Sequence, residues 1–338
     1  MTRLEPEPAA AEPSGASRAS RRDLRAHRGD ITIFWAAQIM SLLGVVATIL
    51  ANVATGTMVQ HGHPAYAILL AVVLLTSAVF AVHYWFRSTA IHRRLKPLRW
   101  VGIVTSAAVL AVVWWLVPSA ATEPSLSAMH SDATVRITES TDQIVLGPAG
   151  TANEVGVFFQ PGALVDARAY VAILRPLAAA GHTVVVEKQP FGIAFFSLGA
   201  FDAARDGHPP VMQWVVGGHS LGGVVSAMDA ENFATVPKDA VVGLLFLASY
   251  PATEMTALGV PVLSVSASND GLATPAKINA AKSLLPADTN YKVIDGAVHS
   301  NFGDYGPQSG DGQPTISGDA ARAQISAASV AFVDMLSK

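Results

Sequence analysis

Three long runs without a charged residue restrict what the first third of the chain can fold into. No Asp, Glu, Lys or Arg occurs in residues 31–60, 65–86 or 100–117. A helix that crosses a bilayer needs about 20 consecutive apolar residues to span about 30 Å of hydrocarbon. We therefore expect three transmembrane helices, at about 31–58, 65–86 and 100–117. A cleaved signal peptide would be shorter and would not be followed by two further long runs.

Charged residues around these runs predict the orientation of the membrane region. The loop 87–99 carries five Lys or Arg residues, and residues 1–30 carry six arginines, whereas the connection 60–64 carries neither type. By the positive-inside rule, the first segment and the loop 87–99 are then cytoplasmic. The third helix would place everything that follows on the outer face of the plasma membrane. Tyr and Trp residues near the ends of the runs support this arrangement, since both collect at membrane interfaces.

The distribution of charge separates the chain into two parts. Residues 1–118 contain 11 Lys and Arg against 5 Asp and Glu, and residues 119–338 contain 11 against 20. Only 14% of all residues are charged, compared with about a quarter in ordinary soluble proteins, which excludes a disordered or nucleic-acid-coating protein. The absence of cysteine excludes disulfides, a thiol nucleophile and thiolate metal sites. We predict a disordered basic tail (1–30), a membrane region (31–118), a linker (119–132) and a globular domain (133–338).

Short β-rich runs alternate with helical ones after residue 132, a pattern typical of βαβ units and a mostly parallel sheet. Helices are expected from Asp166, after Ser220, at about 275–285 and from Ser317 to the C-terminus. The expected strands are 134–138, 143–146, 155–159, 183–187, 213–217, 241–247, 260–266 and 291–294.

The segment 215–225 carries the strongest chemical signal. An apolar β run ends in Gly218-His219-Ser220-Leu221-Gly222 and continues as a helical pattern. This is the strand-turn-helix context of a nucleophile elbow, in which the flanking glycines allow the strand and the helix to approach closely. We therefore expect Ser220 to be a nucleophile, because the helix N-terminus behind it favours developing negative charge.

A serine nucleophile needs a base and an acid that holds the base. The only histidine after Ser220 is His299, in a loop that follows a predicted strand. Asp270 follows another predicted strand and is the favoured acid, because reactive groups collect at the carboxyl edge of such sheets. Asp295 and Asp304, both close to His299 in sequence, are the alternatives.

The negative charge that develops on the substrate needs two backbone N–H donors. One is expected from Leu221, the residue after the nucleophile. The second is expected from the loop that follows the strand 155–159, where either Gly162 or Ala163 could supply it.

Four segments of the domain resemble the bacterial group called α/β-hydrolase fold 5. They are the loop 159–166 with Tyr170, the segment 187–191, the elbow 218–222 and the turn 269–271. The resemblance implies an α/β-hydrolase fold for about 133–338, with Ser220, Asp270 and His299 as nucleophile, acid and base and with no metal or organic cofactor. The short spacing from Leu247 to Leu263 leaves no room for a large cap domain.

These observations predict a membrane-anchored serine hydrolase that cleaves an ester or related acyl bond of a small molecule or a lipid. Two alternatives stay open: an acyltransferase that uses the same three residues, and a catalytically idle binding module tethered to the bilayer. The sequence does not specify the acyl length or the oligomeric state.

Overall fold

A computed structural model of the chain describes residues 15–56, 58–86 and 95–338, with side chains described from residue 31 onward. These residues divide into two compact units. The first comprises residues up to Ala51 and Leu70–Trp115, and the second comprises Asn52–Leu69 and Leu116–Lys338. The helices, in chain order, are α1 (Gly15–Thr55), α2 (Met58–His61), α3 (Pro64–Trp85), α4 (Lys96–Trp115), α5 (Ser125–Ala128), α6 (Val171–Ala179), α7 (Ala200–Gly207), α8 (Leu221–Phe233), α9 (Pro275–Ala281) and α10 (Gly318–Leu336).

Three of these helices are long and apolar enough to cross a membrane: Ile31–Thr55 within α1, α3 and α4. Their bounds lie within a few residues of the predicted runs. Polar side chains inside α1 satisfy their own hydrogen-bonding needs, since the hydroxyl groups of Ser41 and Thr48 donate to carbonyl groups one turn earlier. Gly44 of α1 lies so close to Ser77 of α3 that a Cβ at that position would collide with the serine side chain. Close approach at small residues is typical of helices that pack in a membrane.

The structure differs from the predicted tail and linker at two places. Helix α1 begins at Gly15, within the segment predicted to be disordered, because the alanines and arginines there are good helix formers. Residues 1–14 lie outside the described residues. The same holds for Arg87, Arg93 and Arg94 of the predicted cytoplasmic loop. The segment 119–132 packs on the sheet-containing unit instead of forming a free linker. Within it, the buried hydroxyl of Ser125 donates to the carbonyl of Ala169 at 3.0 Å.

The second unit is built on an eight-stranded sheet with strand order β1-β2-β4-β3-β5-β6-β7-β8. Strands β3 to β8 run parallel to one another. Strand β2 pairs antiparallel with both β1 and β4 at one end of the sheet. All eight lie at the predicted positions. They are β1 (Val135–Glu139), β2 (Gln143–Pro148), β3 (Val155–Gln160), β4 (Val184–Glu187), β5 (Gln213–His219), β6 (Ala240–Leu247), β7 (Val262–Ala267) and β8 (Asn290–Ile294).

Helices cover both faces of this sheet, which is why β3, β4 and β7 are buried along their whole length. On one face, Val157 and Phe159 of β3 belong to the apolar core that includes α6 and α10. On the other face, Phe158 belongs to the core that includes α7 and α8. The connection from β6 to β7, residues 248–261, contains no helix or strand, so the expected absence of a cap at this position is confirmed. The carboxyl ends of the parallel strands therefore carry loops that can meet at one edge.

Candidate active site

Ser220 lies at a sharp turn between β5 and α8. Its backbone has φ 51° and ψ −121°, a conformation that is unfavourable for a residue with a side chain. The N–H of Ser220 donates to the carbonyl of Leu247 on the neighbouring strand at 3.1 Å. The Ser249 hydroxyl donates to the carbonyl of Ser220 at 2.6 Å. Two hydrogen bonds thus hold the serine backbone in its strained conformation.

The two glycines of the elbow are required by packing. A Cβ on Gly218 would collide with the backbone of Gly222. A Cβ on Gly222 would collide with the carbonyl oxygens of Gln160 and Pro161, in the loop after β3. Any larger residue would push α8 away from β5 or from this loop, as the elbow motif predicts.

His299 and Asp270 come together although they follow different strands. The Nδ1 atom of His299 lies 2.8 Å from Oδ2 of Asp270, and both side chains are almost completely buried. The other carboxylate oxygen accepts from the N–H groups of Leu272 and Ala273, each at 2.7 Å. Because every acceptor oxygen of Asp270 is engaged, the carboxylate is fixed, and it fixes the imidazole ring with Nδ1 facing it.

The two alternative acids have other partners. Asp295 accepts a hydrogen bond from Ser268 at 2.9 Å. Asp304 accepts from Ser125 at 2.8 Å and from Arg322 at 2.7 Å. The structure therefore brings Asp270, and not these two carboxylates, to the histidine.

Ser220 and His299 line the same cavity, which has a volume of about 240 Å³. Most of its wall is apolar and comes from the elbow helix and from the loops after β6 and β7: Leu221, Val224, Ala248, Ser249, Tyr250, Leu272 and Ala273. In the described part of the chain, the Ser220 hydroxyl makes no hydrogen bond to the His299 ring. Such bonds are often long before substrate is bound. The cavity is small and apolar, with a hydroxyl and an imidazole at one side.

Two backbone segments next to Ser220 could stabilise an oxyanion. Leu221 is the first residue of α8, where N–H groups have no partner within the helix. Gly162 already donates its N–H to the phenol oxygen of Tyr170 at 2.9 Å. Among the described hydrogen bonds, none uses the N–H of its exposed neighbour Ala163. The geometry therefore favours Ala163 over Gly162 as the second donor.

Comparison with known families agrees with this architecture. Residues 156–323 match the model of a family described as the alpha/beta hydrolase family. This region has the α/β-hydrolase fold. None of the curated proteins matches the chain.

The hydrolase region is also similar to solved structures at low identity. One is a predicted CIB-like hydrolase from Thermoplasma acidophilum, with 16% identity and a TM-score of 0.45, covering 59% of this chain and 98% of that one. Another is a monoacylglycerol lipase from Paleococcus ferrophilus, with 14% identity, a TM-score of 0.44, and coverage of 60% and 100%. A third is a thermophilic esterase from Thermogutta terrifontis, with 12% identity, a TM-score of 0.44, and coverage of 62% and 100%.

Tyr170 and His219 form a buried support beneath the loop after β3. The phenol oxygen of Tyr170 lies 2.8 Å from Nδ1 of His219 and accepts from Gly162 N–H. Burial, followed by the nearby His299, holds the pKa of His219 well below its usual value, so this ring is neutral. His219 thus acts in packing, with its ring centroid 4.5 Å from that of His299.

The same loop is held from a second side by Gln189, which follows β4. Its side-chain nitrogen donates to Oε1 of Gln160 at 2.9 Å and to the carbonyl of Pro161 at 3.0 Å. Sequence reasoning assigned no role to Gln189, although it falls in the segment 187–191 that carries the family resemblance. Its place in that segment was the signal that the sequence offered.

Two buried carboxyl groups lie on elements that carry the site. Burial, together with Asp142 and Asp229, raises the pKa of Glu187 at the end of β4 to about 8. Burial and Asp202 raise the pKa of Asp229 on α8 to about 7. Glu187 is therefore largely protonated at neutral pH, which avoids placing two negative charges in a dry region.

Proposed function

We propose that the chain is a membrane-anchored serine hydrolase that cleaves an ester or related acyl bond. The observation that carries this proposal is the 2.8 Å contact between His299 Nδ1 and buried Asp270, at the wall of the cavity that Ser220 also lines. The match of residues 156–323 to the model of the alpha/beta hydrolase family supports hydrolase chemistry.

Ser220 attacks the acyl carbonyl in the first half of the reaction. His299 takes the hydroxyl proton on Nε2, because Nδ1 is committed to Asp270. Asp270 holds the ring in this orientation and stabilises the imidazolium that forms. The same Nε2 proton then passes to the leaving alcohol, and the acyl group stays on Ser220 as an ester.

The oxyanion of the tetrahedral intermediate is stabilised by the N–H groups of Leu221 and Ala163. The N-terminus of α8, directly behind Ser220, adds a favourable dipole. In the second half of the reaction, His299 deprotonates a water molecule that attacks the acyl-enzyme, and it then returns this proton to the Ser220 oxygen as the acid is released. Replacing that water with an alcohol would give the acyltransferase alternative.

The substrate is proposed to carry a small acyl group. The cavity of about 240 Å³ is below the range of about 300–1,000 Å³ that is usual for ligand pockets. Its apolar wall suits a short hydrocarbon better than a charged group. The absence of secondary structure in residues 248–261 leaves the entrance without a cap from that connection.

A fluorophosphonate probe tests the nucleophile directly. We expect the wild-type chain to be labelled and Ser220→Ala not to be labelled. Ser283→Ala is the matched control, because Ser283 is an exposed serine that does not line the cavity. Equal labelling of Ser220→Ala and the wild type would defeat the proposal.

The helices α1, α3 and α4 are proposed to anchor the hydrolase unit on the outer face of the membrane, with the N-terminus in the cytoplasm. The natural chain contains no cysteine, so single introduced cysteines report topology cleanly. We expect an impermeant maleimide to label Ser283→Cys in intact cells and to label Ser14→Cys only after permeabilisation. The reverse pattern would contradict the proposed orientation.

A further inference from the structure

We propose that Asp311 is a positioning residue that sets the relative placement of Asp270 and His299, an inference that rests on the proposed hydrolase function. Its half-buried carboxylate accepts backbone hydrogen bonds from both loops that carry these residues. Oδ1 accepts from the N–H of His299 at 3.1 Å and of Gly271 at 3.2 Å. Oδ2 accepts from the N–H of Ser300 at 2.8 Å. The Asp311 side chain thus links Gly271, the residue after the acid Asp270, to the backbone of the base His299.

The segment around Asp311 is built against the acid loop. A Cβ on Gly312 would collide with the carbonyl oxygen of Asn269, directly before the acid. The side-chain nitrogen of Asn269 donates to the carbonyl of Gln313 at 3.1 Å. The N–H of Gly312 closes the turn by donating to Oδ1 of Asp311 at 2.7 Å. Asp311 therefore cannot move without moving the turn that carries Asp270.

The requirement is for a carboxylate at this position. Four backbone N–H groups point at Asp311, and a carboxylate has acceptor sites for all of them. Burial alone would raise the pKa of Asp311, but the donors of Ser300, Gly271, Gly312 and His299 outweigh it and hold this pKa below its usual range. An asparagine has the same shape but presents an NH₂ group in place of one oxygen. At least one N–H would then face another donor, and the His299 loop would shift.

A small shift of the base is costly in this mechanism. His299 must accept a proton from Ser220 while it stays bonded to Asp270, and misplacing a catalytic group by about 1 Å can cost about 100-fold in rate. Substrate binding in the apolar cavity does not involve Asp311, which lies outside the cavity lining. Loss of Asp311 should therefore lower kcat and leave KM nearly unchanged.

The experiment compares Asp311→Asn with Asp304→Asn in the purified full-length protein. Asp304 is a matched control: it is also half-buried, lies on the same stretch of chain, and ties Ser125 and Arg322 together without contacting Asp270 or His299. We expect Asp311→Asn to lower kcat for a short ester and the rate of fluorophosphonate labelling by about 10- to 100-fold, with KM changed less than about twofold. Asp304→Asn should lower the melting temperature and leave kcat per folded molecule unchanged.

Two results would overturn the inference: a kcat for Asp311→Asn equal to that of the wild type, or an equal loss in Asp304→Asn. If Asp311→Asn does not fold, Asp311→Glu is compared with the wild type and with Asp304→Asn instead. This variant keeps the charge and moves the carboxylate by one methylene group. Its kcat should fall with KM unchanged. Failure of the proposed function itself is distinguishable, since Ser220→Ala would then retain labelling whatever happens at residue 311.

Discussion

Replacing Glu187 with glutamine should remove a large part of the pH dependence of stability. The pKa of this buried carboxyl is raised to about 8 in the folded chain, from an ordinary value of 4.5. Between these two values, the folded state holds a proton that the unfolded state has released, so stability falls as the pH rises. The stabilisation from the protonated group is complete below pH 4.5 and is lost as the pH passes through about 8. Glu187→Gln carries no titrating group and should show no such loss.

The magnitude follows from linkage. One proton of difference changes the free energy of unfolding by about 1.4 kcal/mol per pH unit. Between about pH 6 and about pH 8, Glu187 should thus cost the wild type roughly 2–3 kcal/mol. For a unit of this size, 1 kcal/mol corresponds to about 2–4 °C in melting temperature. The melting temperature of Glu187→Gln, relative to the wild type, should therefore rise by roughly 5–10 °C across that interval.

The assay is thermal unfolding of the full-length protein in detergent at several pH values, followed by the loss of sheet signal. Taking the difference between variant and wild type cancels the titrating groups that do not interact with Glu187. Glu231→Gln is the matched control, because it makes the same chemical change at an exposed position of α8. Parallel melting curves for wild type and Glu187→Gln from pH 6 to pH 8 would refute the reasoning.

Three further outcomes test the site. Asp270→Asn should lower kcat by about 10³- to 10⁴-fold, because the amide favours the wrong histidine tautomer. Asp295→Asn should retain the wild-type kcat, and equal losses in the two variants would show that the acid is misassigned. In a series of p-nitrophenyl esters, kcat/KM should be highest for short acyl chains, and Val224→Ala should shift this optimum to longer chains. A preference of the wild type for long acyl chains would contradict the small cavity. Gly222→Ala should lower the melting temperature and abolish probe labelling. Gly147→Ala should change neither property, because a Cβ on Gly147 meets no atom within 4 Å. Normal labelling of Gly222→Ala would contradict the close packing of α8 against the loop after β3.

The strands and the elbow could be predicted from sequence because their patterns depend on local chemistry. A buried parallel strand needs a short continuous apolar run, and residues 155–159 of β3 supply one. The elbow needs small residues on both sides of Ser220, since the collisions at Gly218 and Gly222 leave no alternative. Because the base follows the serine in the chain order of this elbow motif, and His299 is the only histidine after Ser220, the sequence leaves one candidate for the base.

The contact of the segment 119–132 with the sheet-containing unit could not be predicted in this way. Its composition of Ser, Ala, Thr, Glu and Pro is typical of a linker. What holds it in place is a set of bonds to distant residues, such as the N–H of Ala121, which donates to Asp166 at 3.3 Å. A single hydrogen bond to a residue 45 positions away leaves no periodicity that a sequence pattern could reveal.

Contacts with distant residues also explain why the reacting residues could be predicted from the sequence and the positioning residues could not. Ser220 and His299 are identifiable because only certain side chains can perform their chemistry. Asp311 and Gln189 act on backbone N–H and carbonyl groups, which every residue supplies, so their partners carry no mark in the sequence. A loop such as 307–314, with its Pro and Gly residues, then resembles any surface turn. Positioning groups of this kind are found only when the two loops they join are seen side by side, which is why Asp311 emerges from the structure and Ser220 from the sequence.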